Sequence, residues 1–162
     1  MIFLYSERIL DVDLVQVVPT CEAYDHRVIP LVSEDLRCLY TAIRKASQGV
    51  VLKTRSRLWL SLAREIRLDL PIYIWGLSIR RRNIIPIYHA VEYRGRGIYY
   101  ARNKSELEVL VGKAIDGVLL DVRGFDPLLV EQVVKGGMEC ECERCDIVER
   151  LLCNAYKEIE IL

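Results

Sequence analysis

Residues 71–101 decide the fold prediction, and they read PIYIWGLSIRRRNIIPIYHAVEYRGRGIYYA. Short apolar runs alternate here with connections that are rich in arginine, a pattern typical of short strands. The runs at 84–93 and 98–101 are separated by Arg-Gly-Arg-Gly. A short glycine-bearing connection of this kind is typical of a β-hairpin, because glycine supplies positive φ. This stretch therefore predicts three strands, of which the last two are antiparallel.

The preceding stretch, residues 34–77, alternates helical and strand-like patterns. A buried strand at 50–52 lies between two segments in which apolar residues recur at helical spacing. The first stripe, after a predicted Ser33 N-cap, consists of Leu36, Leu39, Tyr40 and Ile43, and the second of Trp59, Leu62, Ala63 and Ile66. Alternation of this type favours βαβ units and therefore some parallel pairing.

Together these patterns predict an α/β fold built on a mixed β-sheet, with helices packed on its faces and a basic β-hairpin. Further strands are predicted at 2–5, 12–18, 28–32 and 117–122, and further helices after Asn103, Asp126 and Asp146. The chain has 162 residues, which fits one domain spanning 1–162. Residues 136–162 are predicted to form a cysteine-rich, C-terminal helical segment.

Positive charge is concentrated in the middle of the chain, although the formal net charge is zero. Residues 1–36 hold two basic and seven acidic side chains, residues 37–104 hold fifteen and three, and residues 105–162 hold six and thirteen. Twelve of the fifteen basic residues in the middle block are arginines, whose planar guanidinium suits phosphate oxygens. The segregation predicts a surface that binds polyanions, with nucleic acid as the expected partner.

The arginines of this block are the candidate phosphate contacts. The predicted nucleic-acid-binding residues are Arg55, Arg57, Arg80, Arg81, Arg82, Arg94 and Arg96. Because the strand at 84–93 spans about 30 Å, the clusters before and after it are expected at opposite ends of the sheet. That separation favours a long groove, beside which Tyr93, Tyr99 and Tyr100 either stack on unpaired bases or pack within the strands. The choice between DNA and RNA stays open.

A metal-dependent nuclease is the first alternative, and whether the protein is an enzyme stays open here. Asp69 and Glu92 lie within the basic region, and such carboxylates can hold a divalent ion that activates water. His89 is a candidate general base, but strand alternation places it among apolar residues, which favours a core histidine. A second alternative is a structural subunit whose basic block docks an acidic protein partner. The basic block could also be neutralised within the fold by the acidic ends of the chain.

Closely spaced cysteines mark the last part of the chain. They are Cys140, Cys142 and Cys145. One interpretation is a zinc site formed by these three with a fourth ligand from His26, Cys21 or another chain, since Cys153 lies about 12 Å along a helix. The second is a disulfide from one of them to Cys21 or Cys38, the latter expected as a buried helix residue, and the third is reactive free thiols.

The composition also bears on the source and the compartment. Asparagine and glutamine occur three times each while 28% of residues are charged, a tendency of hyperthermophilic, archaeal-like proteins in which intracellular disulfides are frequent. No apolar run approaches the roughly 18 residues of a membrane span, and the N-terminus lacks the features of a secretion signal. A cytoplasmic protein without a membrane partner is therefore expected.

Overall fold

The fold is a closed barrel of eight parallel β-strands, described by a computed structural model over residues 1–22, 25–135, 148 and 151. Each strand pairs with the next one along the chain, and the last pairs with the first, which is the strand order of a (β/α)8 barrel. The strands are β1 (Ile2–Tyr5), β2 (Gln16–Pro19), β3 (Val28–Val32), β4 (Val50–Lys53), β5 (Ile72–Trp75), β6 (Ile84–His89), β7 (Ile98–Ala101) and β8 (Gly117–Asp121). Within residues 1–22 and 25–135 the helices are α1 (Leu36–Lys45), α2 (Arg57–Ile66), α3 (Lys104–Glu108) and α4 (Pro127–Val134).

The prediction of a mixed sheet with a basic hairpin is wrong, because β6 and β7 run parallel. Ile87 pairs with Ile98, and the register continues in the same direction to the ends of both strands. Residues 90–97 therefore return the chain from the C-terminal end of β6 to the N-terminal end of β7. A tight turn and a short crossover both favour glycine and polar residues, so composition alone does not separate them. The helices accordingly surround a barrel instead of covering the two faces of an open sheet.

Barrel closure depends on β1, which pairs with β8 on one side and with β2 on the other. Ile2 lies opposite Val118, and the register runs in step to Tyr5 opposite Asp121. On the other side, the Leu4 amide donates to the Val15 carbonyl at 3.0 Å. Because the sheet closes on itself, it presents no unpaired strand edge.

The barrel interior is filled by alternate residues of the strands. The buried interior side chains are Phe3, Val17, Ile29, Val51, Tyr73, Ile87, Ile98, Tyr100 and Leu119. Residues between them point outward, and Val50 and Leu52 of β4 pack against the first two helices. A strand that is buried on both sides consists of consecutive apolar residues. The sequences of β4 and β8 show this pattern clearly.

The helices cover the outer surface of the barrel unevenly. The first helix begins after Asp35, whose carboxylate accepts from the Cys38 amide, and not after Ser33. Leu39 of the predicted stripe is buried, but Tyr40 is 49% exposed. Residues 76–83 and 90–97 connect β5, β6 and β7 without a helix. None of the helices in the described residues combines the length and apolar character that crossing a bilayer requires.

A disulfide joins Cys21, after β2, to Cys38 in the first turn of α1. Their Cα atoms are 4.8 Å apart. The two cysteines that were expected to pair with the C-terminal cysteines therefore pair with each other, because the β2 connection and the start of α1 meet at one end of the barrel. Cys38 is half-buried, not a core residue. Cys140, Cys142 and Cys145 lie outside the described residues, so zinc binding there stays a prediction.

Gly76 follows β5 at a point where the ends of β4 and β5 pack closely, and its substitution tests that packing. A Cβ at Gly76 would lie 2.3 Å from the Thr54 carbonyl oxygen, and its φ is +125°. Gly112 has a φ of +76° with no atom within 4 Å of its Cβ position, so it is a matched control. We expect Gly76→Ala to lower the free energy of unfolding by roughly 2–5 kcal/mol and Gly112→Ala by roughly 1 kcal/mol, measured by urea denaturation. Equal losses would contradict the close approach.

Candidate functional site

The C-terminal end of the barrel, called the mouth below, gathers the last inward-facing side chains of the strands. These side chains are Tyr5, Lys53, Trp75, His89, Tyr100 and Asp121. Each of them ends its strand or lies one position before the end, and strand alternation turns each toward the barrel axis. In eight-stranded parallel barrels this is the end that holds ligand sites. The mouth is therefore the first place to look for function.

Aromatic rings line the mouth around Trp75. Its ring centroid lies 4.9 Å from that of Tyr100, 6.0 Å from that of His89 and 6.3 Å from that of Tyr5. The Lys53 ammonium lies 5.4 Å from the Trp75 centroid, within the range of a cation–π contact. Tilted and edge-on arrangements of this kind stabilise aromatic clusters. The mouth thus combines aromatic surface with positive charge.

The floor of the mouth is fixed by Asp121, which is buried at the end of β8. Its carboxylate accepts from the Tyr100 hydroxyl and, at 2.7 Å, from the Arg123 guanidinium. Burial by itself would raise the pKa of Asp121, but the hydrogen bonds from Arg123 and Tyr100 outweigh it and lower that pKa to about 2. Burial, reinforced by the bond to Asp121, raises the pKa of Tyr100 to about 12. Both groups are engaged in this network and therefore position the aromatic cluster.

A cavity of about 410 Å³ opens beside Trp75, between the C-terminal ends of β4, β5 and β6. That volume lies within the roughly 300–1,000 Å³ of small-molecule sites. Three cationic side chains, Lys53, Arg55 and Arg94, line it together with one carboxylate, Glu92, which pairs with Arg94 at 3.5 Å. The cavity is therefore net positive.

A separate basic groove lies on the outside of the barrel. It runs between α2 and residues 79–84, and Arg57, Arg64 and Arg81 line it. The chain passes directly from Arg55 in the cavity to Arg57 in the groove. None of the three groove arginines forms an ion pair with a residue that the structure describes. Their charge is available to a ligand.

The remaining predicted arginines divide between the two ends of the barrel. Arg80 and Arg96 both approach Asp116, which precedes β8 at the end opposite the mouth. The arginine clusters before and after β6 therefore meet at one carboxylate, although the predicted antiparallel arrangement separated them. Arg82 is exposed at the same end. Only Arg94 of these clusters lies at the mouth, because residues 90–97 run back along the barrel wall.

The candidate catalytic residues do not assemble into one site. Asp69 precedes β5 and pairs with Arg67 at 3.0 Å, whereas Glu92 follows β6 at the mouth. His89 is exposed at the mouth and is not a core histidine, because it occupies the last position of its strand. No group of three histidine, cysteine, aspartate or glutamate side chains that could hold a metal occurs in residues 1–22 and 25–135.

Several mouth residues were missed by the sequence analysis. Lys53 and Trp75 each end a strand, and Tyr5 ends the first. Of the three, only Tyr5 ends a strand that the sequence predicts, because the strand predicted at 50–52 stops one residue before Lys53. Without the parallel barrel topology nothing indicated that these strand ends converge. Of the two alternatives given for Tyr99, the structure shows packing within the strands, since Tyr99 is fully buried and its hydroxyl donates to the Gly95 carbonyl at 2.6 Å.

The lowered pKa of Asp121 makes the free energy of unfolding depend on pH in the acid range. A carboxyl group whose pKa is lower in the folded than in the unfolded chain stabilises the fold above the unfolded pKa, near 3.9, and loses that effect as the pH falls toward the folded value. We expect Asp121 to contribute about 2 kcal/mol that disappears between about pH 4 and pH 2. Urea denaturation across that range should show a shallower decline in Asp121→Asn than in the parent. Asp11→Asn, which removes an exposed carboxylate, should leave the decline unchanged.

Comparisons of the chain with protein-family models, with curated proteins and with solved structures found no match. The arrangement of side chains at the mouth and in the groove is therefore the basis for assigning a function. Both features bring unpaired cations to one side of the barrel, and the mouth adds aromatic rings.

Proposed function

We propose that this chain is a cytoplasmic protein that binds nucleic acid, with phosphates contacting the basic groove and the mouth. The observation that carries the proposal is the groove itself, in which Arg57, Arg64 and Arg81 lie together without a described acidic partner. Phosphate binding by clustered arginines releases counterions and so favours association. The groove supports this function more directly than the total charge, because its cations are adjacent and exposed to a ligand.

The dimensions of the groove suit a polyanion. Arg57 and Arg64 lie seven residues apart on α2, and therefore about 10 Å apart along its axis. Arg55 and Arg94 extend the positive surface into the mouth. A ligand with regularly spaced phosphates can contact several of these guanidinium groups at once, whereas a single phosphate can contact only one or two. Several simultaneous contacts predict steep salt dependence.

Neutralisation of the basic block within the fold is limited. Among the described residues, Arg80, Arg96 and Arg102 pair with carboxylates of the acidic C-terminal block, namely Asp116 and Glu106. The ion pairs of Arg67 and Arg94 use carboxylates of the middle block itself. The cations of the groove are not among those paired, which supports binding of an external polyanion.

Two matched double variants test the groove. Arg57→Gln/Arg64→Gln removes two charges from α2 within the groove, and Arg37→Gln/Arg44→Gln removes two charges at the same spacing from α1. We expect the groove variant to lower the slope of log K against log salt by about 2 and to raise the Kd at least tenfold at low salt. The α1 variant should change neither appreciably, because Arg37 and Arg44 line the pocket between α1 and α2 and not the basic groove.

The measurement is fluorescence anisotropy with labelled single- and double-stranded DNA and RNA at about 50 and about 200 mM salt. The parent should lose affinity about a hundredfold or more between these concentrations. Binding that is insensitive to salt, or equal losses in the two double variants, would contradict phosphate contact at the groove.

A nuclease remains the less supported alternative. Asp69 and Glu92 lie at opposite ends of the barrel, so they cannot share a metal ion. A nuclease would therefore need a set of groups other than the predicted pair, and the described residues offer no metal-binding cluster.

An acidic protein partner is favoured by one surface. A groove between α1 and α2 is lined by Leu36, Tyr40 and Ile66, with Arg37 and Arg44 at its sides and Glu65 as its one acidic residue. Leu36 is 56% exposed, which is unusual for an apolar residue of a helix in contact with another helix. Apolar surface beside positive charge is complementary to an amphipathic helix with acidic flanks.

A peptide titration tests this second candidate. The probe is a labelled amphipathic peptide with leucine on one helical face and glutamate on the other. If the α1–α2 groove is a docking site, Tyr40→Ala and Arg37→Gln/Arg44→Gln should each weaken peptide binding several-fold, while Arg57→Gln/Arg64→Gln should not. Absence of saturable binding of the peptide at low salt would remove the support for this candidate.

A further inference from the structure

The aromatic side chains of the mouth are not explained by phosphate contact alone. Trp75 is half-buried, and the exposed His89 imidazole lies beside it, with ring centroids 6.0 Å apart. The His89 ring makes no hydrogen bond to any residue that the structure describes. An aromatic surface next to an imidazole with free nitrogen atoms offers both a stacking face and hydrogen-bonding groups. A backbone phosphate can accept a hydrogen bond from the imidazole but has no face to stack on an aromatic ring, whereas a base can do both.

Three cations and one carboxylate lie beside this aromatic surface, and the carboxylate, Glu92, pairs with Arg94 at 3.5 Å. Lys53 lies over the Trp75 ring at 5.4 Å, and Arg55 and Arg94 line the same cavity. A ligand that places a flat, uncharged ring against Trp75 or His89 would therefore have cations on both sides of that ring. A nucleotide within a strand has this chemistry, because a phosphate precedes and follows each base.

The shape of the mouth selects an unpaired base. A cavity of about 410 Å³ between three strand ends admits a single nucleotide but not a double helix. The bases of a duplex expose their edges in the grooves and keep their faces stacked on one another. Stacking on an aromatic side chain therefore requires a base that has left the duplex or belongs to a single strand.

We propose that the mouth binds one unpaired base of a single-stranded nucleic acid, stacked against Trp75 and His89, while the flanking phosphates contact Lys53, Arg55 and Arg94. The inference rests on the proposed nucleic-acid binding and specifies which form of nucleic acid the mouth takes. The groove then carries the adjoining part of the strand. The Tyr100–Asp121–Arg123 network holds the floor of the site and does not contact the base.

Tryptophan fluorescence reports on this site directly. The chain has two tryptophans, and Trp59→Phe leaves Trp75 as the only one. We expect short single-stranded RNA and DNA oligonucleotides to quench its fluorescence on binding, and a duplex of the same sequence to bind the groove with little quenching. An oligonucleotide whose central positions are abasic should still bind through its phosphates, but with markedly less quenching.

Substitutions separate the base site from the groove. His89→Ala, at an exposed position, should weaken single-strand binding about tenfold, in line with the loss of one base–aromatic stack, and leave duplex binding unchanged. Trp75→Leu should have an equal or larger effect, and the quenching measurement stands in its place if that variant does not fold. Tyr40→Ala, which removes an exposed tyrosine from α1, is the matched control and should leave single-strand binding unchanged.

The outcomes distinguish this proposal from the one on which it rests. Salt-dependent binding of duplexes and single strands alike, with no quenching of Trp75, would overturn the base site and leave the groove as a phosphate-binding surface. Quenching by a nucleoside monophosphate with the affinity of the oligonucleotide would overturn it in favour of a free-nucleotide site. No binding of any nucleic acid at low salt would overturn both proposals. Comparison of the affinities for single-stranded RNA and single-stranded DNA shows which of the two the mouth prefers.

Discussion

The pairing of β1 with β8 is the interaction on which the rest of the structure depends. It joins residues from the two ends of the described barrel, with the amino group of Met1 donating to the Asp116 carbonyl at 3.3 Å. Closure makes every strand an inner strand, so each must be apolar on its outward face and fill the interior with its other face. It also obliges each connection to return from the mouth to the opposite end. The placement of the arginines follows from these return paths.

The contacts that stabilise the barrel and the surfaces that we propose for binding lie at different places on it. At the mouth, the hydrogen bonds of Asp121 hold Tyr100 in place, and Tyr100 in turn packs against Trp75. The aromatic surface is therefore rigid before a ligand arrives, which reduces the entropy lost on binding. At the opposite end, Asp116 engages two arginines and Asp69 engages another, so these three cations are used within the fold. Arg57, Arg64 and Arg81, which form no ion pair with a described residue, lie where α2 faces residues 79–84.

Local patterns in the sequence predicted individual elements better than their arrangement. The strands at 2–5 and 28–32 and the first two helices were found because period and capping are short-range properties. The direction of β7 was not found, because its connection has the glycine and arginine residues of a turn and only the pairing of Ile87 with Ile98 distinguishes the alternatives. Parallel pairing is set by contacts across the whole barrel, which no short window of sequence contains.

The candidate site shows the same division. Charge alone was enough to name Arg55, Arg57 and Arg94 as candidates, since a polyanion site needs cations wherever it lies, and their role stays a prediction. Lys53 and Trp75 become candidate site residues only once it is known that β4 and β5 end side by side, in the register that places Lys53 opposite Trp75. The sequence could not show that Arg80 and Arg96 both approach Asp116, because that carboxylate lies 20 or more residues further along the chain.

Barrel closure also governs how the chain can be made. Synthesis produces β1 first, yet its second partner, β8, is the last strand of the barrel to emerge. Until residues 117–121 have left the ribosome, an incomplete barrel presents two open edges, one at β1 and one at the newest strand. Such edges pair readily with other chains, and contacts between distant residues form slowly because the intervening chain must first be ordered. The closed topology that leaves the finished barrel without an edge therefore leaves two edges exposed until its eighth strand is complete.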